Sequence, residues 1–382
     1  MESVNTAKTD GQVEGVGANS LSIAFCGGGS GGHLTPAFAI AEVLQRQSQQ
    51  KPIPGLNVLF VTSRRPVDAR MVQAFAGSDR EVQHLPLPLT TSRRRILYLL
   101  KVIRCVYICV RAFRRQRPRL LVSTGGFAAL PGLIAGRLLA IPILLIEPNA
   151  VVGKVHRRTL KWAAEMCRGW QTNQTTASDC HCATTITGVP IRDVSSDLAA
   201  LPKKRMLLIL GGSLGAARLN QLASAALLQN VAPLANWQIV HQTGPRDEDK
   251  LSAAYRDVGL DVQVQPFIDD LQPQLQTAAI VITRAGAVTL AECCRAHCAM
   301  LIVPLSTAAD DHQAANAGSL VQRNAALVID ESAENAEQML SEQLRSLLQN
   351  AEQREQLAQN ASQLATPHAA VQVASRILDL AE

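Results

Sequence analysis

Two glycine-rich turns carry the densest chemistry in this chain: Gly27-Gly28-Gly29-Ser30-Gly31-Gly32-His33 and Gly211-Gly212-Ser213-Leu214-Gly215. Each follows a short apolar run (LSIAFC, MLLIL) and precedes a helical pattern, so strand, GG-x-x-G and helix occur twice. With no Cβ in the way, backbone N–H groups and the helix N-terminus at such a turn can face an anion. Two of them predict a cleft for two phosphate-bearing ligands or one long ligand. The alternative for either alone is a tight strand–helix connection. Neither turn has the Lys-Ser/Thr of a P-loop, which argues against a Walker-type nucleotidase. No strand-end acid follows the first turn by about 20 residues, which disfavours a dehydrogenase.

His33 closes the first turn where the helix starts. An imidazole there, beside clustered N–H groups, suits proton transfer near neutral pH, or else simply bonds the backbone. In the second half, Arg284-Ala285-Gly286-Ala287-Val288-Thr289-Leu290-Ala291-Glu292 follows the apolar run IVIT. Glu292 falls one turn into the next helix, where a carboxylate can accept from the vicinal hydroxyls of a ribose. Pro266–Asp270 forms another strand-end loop, and Asp310-Asp311-His312-Gln313-Ala314-Ala315-Asn316 is a polar cluster suited to sugar hydroxyls. Each has a capping or solvated-face alternative. Together they lie at successive carboxyl ends of strands, where open α/β sheets bind ligands.

The elements that must position them alternate. Apolar runs at Leu21–Cys26, Asn57–Thr62, Leu120–Ser123 and Ile141–Ile146 are separated by helical patterns, including one with Pro36 in its first turn. The pattern restarts at Met206–Leu210 and continues through Gln238–Gln242, Val262–Val264, Ile280–Thr283, Met300–Val303 and Ala326–Ile329. Parallel βαβ units follow, arranged as two doubly wound α/β domains. The chain divides into a polar tail (1–20), a first domain (21–193), a linker (194–204), a second domain (205–365) and a C-terminal helix (366–382) whose docking partner the sequence leaves open.

At 382 residues, 47% hydrophobic and 18% charged, the composition excludes a disordered or collagen-like chain. Aromatics at 3% are too few for base stacking, against a single-stranded nucleic-acid binder. The tail lacks the apolar core of a signal peptide. Ile96–Val110, interrupted by Lys101 and Arg104, is too short and charged to span a bilayer, so a cytoplasmic protein is expected. Cys180-His181-Cys182 and Cys293-Cys294 lack the spacing of zinc sites and read as reduced, mostly buried thiols; no metal is expected.

Eight blocks in order, GGGSGGHLTPAFAIAEVL, GGFAALPGLIAGRLLAIPILLIEPNAVVGKVHR, TGVPIR, LGGSLGAARLNQ, HQTG, PFIDDL, RAGAVTLAE and DDHQAANA, resemble the MurG family of bacterial N-acetylglucosamine transferases. The resemblance runs from about Ser22 to the C-terminus. It implies a GT-B glycosyltransferase fold, two Rossmann-like domains facing across a cleft. It implies an inverting, cofactor-free transfer of GlcNAc from UDP-GlcNAc to the MurNAc 4-hydroxyl of lipid I, giving lipid II for peptidoglycan and so serving cell shape and division. Another lipid glycosyltransferase of the same fold, such as one acting on diacylglycerol, is the alternative. By motif, Ile268 would read uracil through its backbone and Glu292 would take the ribose hydroxyls. Ser213 and Arg192 would hold phosphate, with Ala287, Val288, Thr289, Leu290, Ala291 and Glu292 forming the loop and helix start at the pyrophosphate. Gln313 and Asn149 would contact GlcNAc, with Ser30, Gly31 and Gly32 closing over it. His33 is the candidate base or an acceptor ligand, and Gly28, Gly29, Gly125 and Gly126 would meet the acceptor pyrophosphate. Two departures from the family pattern are Pro148 in Glu147-Pro148-Asn149, where Gln is common, and His312, where many members also have Gln.

Charge is distributed unevenly. Between Glu81 and Glu147 there is no acidic residue but eleven Lys+Arg, so the formal +6 of the whole becomes −5 for the remainder. Arg93, Arg94, Arg95, Lys101 and Arg104 interleave with Ile96, Leu99, Leu100 and Ile103. Such a segment suits an anionic leaflet, at roughly 1 kcal/mol per basic residue; its alternative is a core helix with solvated ends. It is too apolar for nucleic acid. The family adds peripheral attachment to the cytoplasmic face of the inner membrane, and cell-wall synthesis proteins as candidate partners.

Overall fold

Two parallel sheets organise the chain. The first contains β1 (Leu21–Gly27), β2 (Leu56–Ser63), β3 (Val82–Leu87), β4 (Leu120–Gly125), β5 (Ile143–Glu147), β6 (Glu165–Arg168) and β7 (Ala183–Ile186) in the order β3-β2-β1-β4-β5-β6-β7. The second contains β8 (Lys204–Leu210), β9 (Gln238–Gln242), β10 (Gln263–Gln265), β11 (Ala278–Thr283), β12 (Ala299–Ile302) and β13 (Leu327–Val328) in the order β10-β9-β8-β11-β12-β13. The computed structural model describes residues 21–29, 31–50, 55–77, 82–90, 95–171, 182–194, 202–212, 215–308 and 311–381.

The strands are apolar on both faces because helices cover both. In β1, Ile23 and Phe25 join one buried cluster, with Phe38 of the Gly31–Gln50 helix, while Ala24 and Cys26 join another, with Cys105 and Cys109 of the Arg95–Gln116 helix. In β8, Leu207 and Ile209 face one way and Met206, Leu208 and Leu210 the other. Both sheets reverse strand order beside their first strand, between β1 and β4 and between β8 and β11. The glycine turns follow β1 and β8, at the two switch points where doubly wound sheets hold ligands. The fold is the expected pair of Rossmann-like domains.

Three expectations change, and one point left open closes. Strands β3, β6 and β7 were not foreseen. The first helix begins at Gly31, so Pro36 lies in its second turn, not its first, and removes the N–H that would reach the Gly32 carbonyl. Lys204, assigned to the linker, already belongs to β8. The C-terminal helix, Ala369–Ala381, packs on the first domain: Val373, Ala374 and Ile377 enter the β1–Phe38 cluster. Arg376 there donates to the buried Glu165 of β6 at 2.8 Å.

Among the described residues, seven of eight cysteines are buried and all eight are free thiols. No group of His, Cys, Asp or Glu among them has the arrangement of a metal site. The tail, 195–201 of the linker, Ser30, Ser213, Arg93, Arg94, Cys180, His181 and Asp310 lie outside the described residues, as does the side chain of Arg95.

Candidate active site

A cleft of about 1400 Å³ is lined from both domains. The first contributes Gly31, Gly32, His33, Gly125, Gly126 and Asn149; the second contributes Ile268, Ala287, Val288, Thr289 and Gln313. Those eleven expected residues meet there. Gly28, Gly29, Arg192 and Glu292 do not line it, and Leu290 and Ala291 turn into the core.

His33 is oriented by β4. Its Nδ1 lies 2.9 Å from the Thr124 carbonyl, which can only accept, so Nδ1 carries the proton and Nε2 the lone pair. Burial lowers its pKa, against the opposing pull of the Thr124 bond and the Glu147 charge, which leaves a neutral imidazole at pH 7. The ring lies against Gly125 and Gly126: a Cβ on Gly126 would stand 3.0 Å from His33 Cδ2 and 2.4 Å from the Gly28 carbonyl oxygen.

The first glycine turn holds an internal anion. Asp68, fully buried in the Pro66–Ala76 helix, accepts from the Gly29 N–H at 2.9 and 3.1 Å, and from Ser63 N–H at 3.1 Å and Ser63 Oγ at 2.5 Å. The Gly29 N–H, assigned to the acceptor pyrophosphate, is therefore already occupied. Arg65 donates to the Gly29 carbonyl at 2.7 Å from the other side.

Glu147 ends β5 and organises the loop after it. Its Oε1 accepts from the Asn149 N–H at 3.2 Å and Nδ2 at 3.1 Å; its Oε2 accepts from the Gly153 N–H at 2.9 Å. Pro148 thus leaves the Asn149 bonds intact. Burial works to raise the Glu147 pKa, but hydrogen bonds from His156, Gly153 and Asn149 outweigh it and hold the carboxyl below its usual range. Asn149 Oδ1 in turn accepts from Asn316 Nδ2 at 3.1 Å, and Asn316 Oδ1 accepts from the Ala150 N–H at 2.8 Å, tying the two domains across the cleft.

In the second domain two helices start at the cleft wall without side-chain caps, Ala217–Leu228 and Ala287–Arg295. Their free N–H groups and dipoles favour negative charge. Gln313 Oε1 accepts from the N–H groups of Ala285 (3.2 Å) and Leu305 (2.9 Å), which leaves Nε2 to serve a sugar hydroxyl. Glu292 is half-buried. Desolvation raises its pKa to about 7, against the pull of Arg295, Arg192 and a 3.2 Å bond from Gln272. Arg192 is exposed, and its carbonyl accepts from Arg295.

Sequence reasoning missed Asp68, His156 and Glu331. Glu331 lines the cleft, pairs with Arg284 at 2.6 Å and accepts from the Ser306 N–H at 2.8 Å, bracing the loop after β12. Asp68 and Glu331 sit in no quoted motif, His156 closes the block ending GKVHR without any assigned role, and each is tied to a partner distant in sequence.

Residues 23–167 match the glycosyltransferase family 28 N-terminal domain and 206–373 the family 28 C-terminal domain. A protein of Desulfotalea psychrophila is 34% identical over 91% of this chain and 94% of its own length; its name is UDP-N-acetylglucosamine–N-acetylmuramyl-(pentapeptide) pyrophosphoryl-undecaprenol N-acetylglucosamine transferase. A protein of the same name from Alkalilimnicola ehrlichii is 32% identical, covering 94% of this chain and 99% of its own length. The crystal structure of MurG from Acinetobacter baumannii superposes with a TM-score of 0.73 at 30% identity, covering 94% of this chain and 99% of that one. The glycosyltransferase of kitacinnamycin, at 18% identity and a TM-score of 0.67, shares the fold.

Proposed function

The chain belongs to glycosyltransferase family 28, and from that premise we propose that it transfers GlcNAc from UDP-GlcNAc to the MurNAc 4-hydroxyl of lipid I, giving lipid II. The observation that carries this reading is the cleft itself: two uncapped helix N-termini of the second domain share it with a neutral histidine of the first. The donor lies along the second domain, its uracil at the Ile268 backbone, its ribose reaching past the cleft lining towards the half-buried Glu292 and its diphosphate at the start of the Ala287–Arg295 helix. GlcNAc reaches Gln313 Nε2 and the Asn149 loop. The acceptor hydroxyl attacks the anomeric carbon opposite the diphosphate. The new C–O bond forms as the bond to UDP breaks, and the hydroxyl proton passes to His33 Nε2. The configuration therefore inverts. Negative charge growing on the leaving UDP is met by helix dipoles and N–H groups that need no reorganisation.

With Asp68 on the Gly29 N–H, we assign the acceptor pyrophosphate to the Gly126 side and the first turn of the Gly31–Gln50 helix. No helix among the described residues is long and apolar enough to cross a membrane. Attachment to the inner face of the cell membrane is assigned to the Arg95–Gln116 helix. Its Val102, Cys105, Cys109 and Phe113 are buried, while Ile96, Leu99, Leu100, Ile103 and Tyr107 form a second apolar stripe, 56–75% exposed.

Incubation with UDP-GlcNAc and lipid I in detergent, following UDP release and the lipid product, tests the reaction. Stoichiometric UDP and lipid II are expected. Turnover with diacylglycerol and none with lipid I would overturn it.

A further inference from the structure

From the cleft lining at Glu147 and His156 a buried chain, which the reaction above does not use, runs inward to Ser123. His156, 1% exposed in the Lys154–Thr159 helix, places Nδ1 3.0 Å from Glu147 Oε2 and Nε2 3.0 Å from Ser123 Oγ. Ser123 Oγ also accepts from the Gly125 N–H at 3.3 Å. The proton direction is set at one end. The ionised Glu147 can only accept, so His156 donates to it from Nδ1, and Nε2 shares a hydrogen bond with the Ser123 hydroxyl. The order Glu–His–Ser matches that of hydrolytic triads, but Ser123 is fully buried and absent from the cleft wall, so it attacks nothing.

What the chain holds is the end of β4. Ser123, Thr124 and Gly125 are consecutive: the first is fixed by His156, the second carries the carbonyl that orients His33, and the third lies between two imidazoles. A Cβ on Gly125 would meet His156 Cε1 at 3.3 Å on one side and His33 Nδ1 at 3.4 Å on the other. The same Glu147 that anchors His156 also holds the N–H and side-chain amide of Asn149. One buried carboxylate therefore braces both the loop assigned to the sugar and the strand end that aims the base.

We propose that His156, acting through Ser123, is a positioning residue for the transfer, holding His33 in register with the donor sugar through the end of β4. The proposal rests on the reading of His33 as the base. The groups facing His33 are the Thr124 carbonyl, Glu147, His156 and His312, so its protonation reports on the geometry of this corner.

The test uses the full chain with lipid I and UDP-GlcNAc, comparing Ser123→Ala, His156→Gln, the double variant and His33→Asn. Each is checked for folding by thermal melting. Ser123→Ala is expected to lower kcat about ten- to a hundredfold, as loss of base alignment does, and to leave UDP-GlcNAc affinity within about twofold. Loosening the Thr124 carbonyl from His33 removes support for the imidazolium, so the acidic limb of the kcat/KM profile moves to lower pH. The double variant should be no worse than the poorer single one, since both cut one chain. Unchanged kcat and an unmoved limb in Ser123→Ala would overturn the proposal, as would additive losses or a parallel fall in donor affinity. Should His156→Gln not fold, the Ser123→Ala profile decides alone. Full activity in His33→Asn would sink the base reading; a dead His33→Asn beside a wild-type Ser123→Ala sinks only the positioning role.

Discussion

Gly126 and His33 fit each other by omission: the space where a side chain at 126 would begin is filled by the histidine ring, with a Cβ only 3.0 Å from Cδ2. The same Cβ would fall 2.4 Å from the Gly28 carbonyl oxygen, and Gly126 has φ +78°, a region L-residues avoid. The two glycine turns of the first domain thus lie against one another, and the ring is seated between them and the end of β4.

Gly126→Ala should therefore damage activity more than stability. The left-handed backbone alone costs about 1–2 kcal/mol, readable as a fall in the urea midpoint. Relief of the contact must push the ring or the Gly27–His33 turn away. A kcat loss greater than tenfold, with UDP-GlcNAc affinity kept, is the expected outcome in a steady-state assay. A variant with wild-type kcat would show that His33 is not held by this contact.

With His33 as the proposed base, its depressed pKa should set the pH dependence of the transfer. Burial lowers it from 6.5, so the imidazole is already free of its second proton at neutral pH. Activity should rise with pH along a limb lying below 6.5 and be level by pH 7. His33→Ala should remove that limb and lower kcat by about 10²–10⁴, the usual worth of general base catalysis. Unaltered UDP-GlcNAc binding, measured by calorimetry, would separate this loss from damage to the donor site.

The repeated strand–glycine–helix units could be read in the sequence because each is local: an apolar run, a turn that needs glycine, a helical stripe. The strands that escaped notice are those whose pattern is written by distant partners. β3 contains Pro86 and His84 and is only half-buried. β6 reads Glu-Met-Cys-Arg, yet all four residues are buried, because Glu165 is paired by Arg376 from the far end of the chain and Arg168 donates to the Ala150 carbonyl. β7 is exposed throughout. The site shows the same division. Residues in glycine turns and at helix starts were found, whereas Asp68 lies outside every motif and His156, though inside the block ending GKVHR, shows its partners Glu147 and Ser123 only in the fold. Leu290 and Ala291 were assigned to the pyrophosphate because they lie within the motif, but helical periodicity turns them inward.

Glu292 should show a conflict between stability and binding. Its pKa is raised from 4.5 to about 7, mainly by desolvation, so the folded protein holds a proton that the unfolded chain releases. The sign follows: this group's contribution is most favourable below pH 4.5 and is lost as pH rises through 7. Glu292→Gln should melt higher than wild type at pH 8, and the gap should close by pH 5. The same variant loses the carboxylate proposed to accept from ribose, so UDP-GlcNAc affinity should fall. In the wild type, affinity should weaken as pH drops below about 7. Pull-down of the carboxyl pKa on donor binding, followed by proton release, is a direct check.

The outer stripe of the Arg95–Gln116 helix makes the final prediction. A helix that buries Val102, Cys105, Cys109 and Phe113 has satisfied its core face, so Ile96 at 75% exposure and Ile103 at 56% gain little from the fold. Replacing Ile96, Leu99, Leu100 and Ile103 by Ser should lower the melting temperature by only a few degrees, because most of the apolar surface removed is exposed and the rest of the cost is serine's poorer helix propensity. Sedimentation with vesicles of anionic lipid should instead drop sharply. Lys101→Ala and Arg104→Ala should each weaken vesicle binding by about 1 kcal/mol, and that part of the affinity should fade with added salt while the apolar part persists. Turnover with a short-chain, water-soluble acceptor should be unchanged in all of them. Equal vesicle binding by wild type and the four-serine variant would place the membrane contact on another face of the molecule.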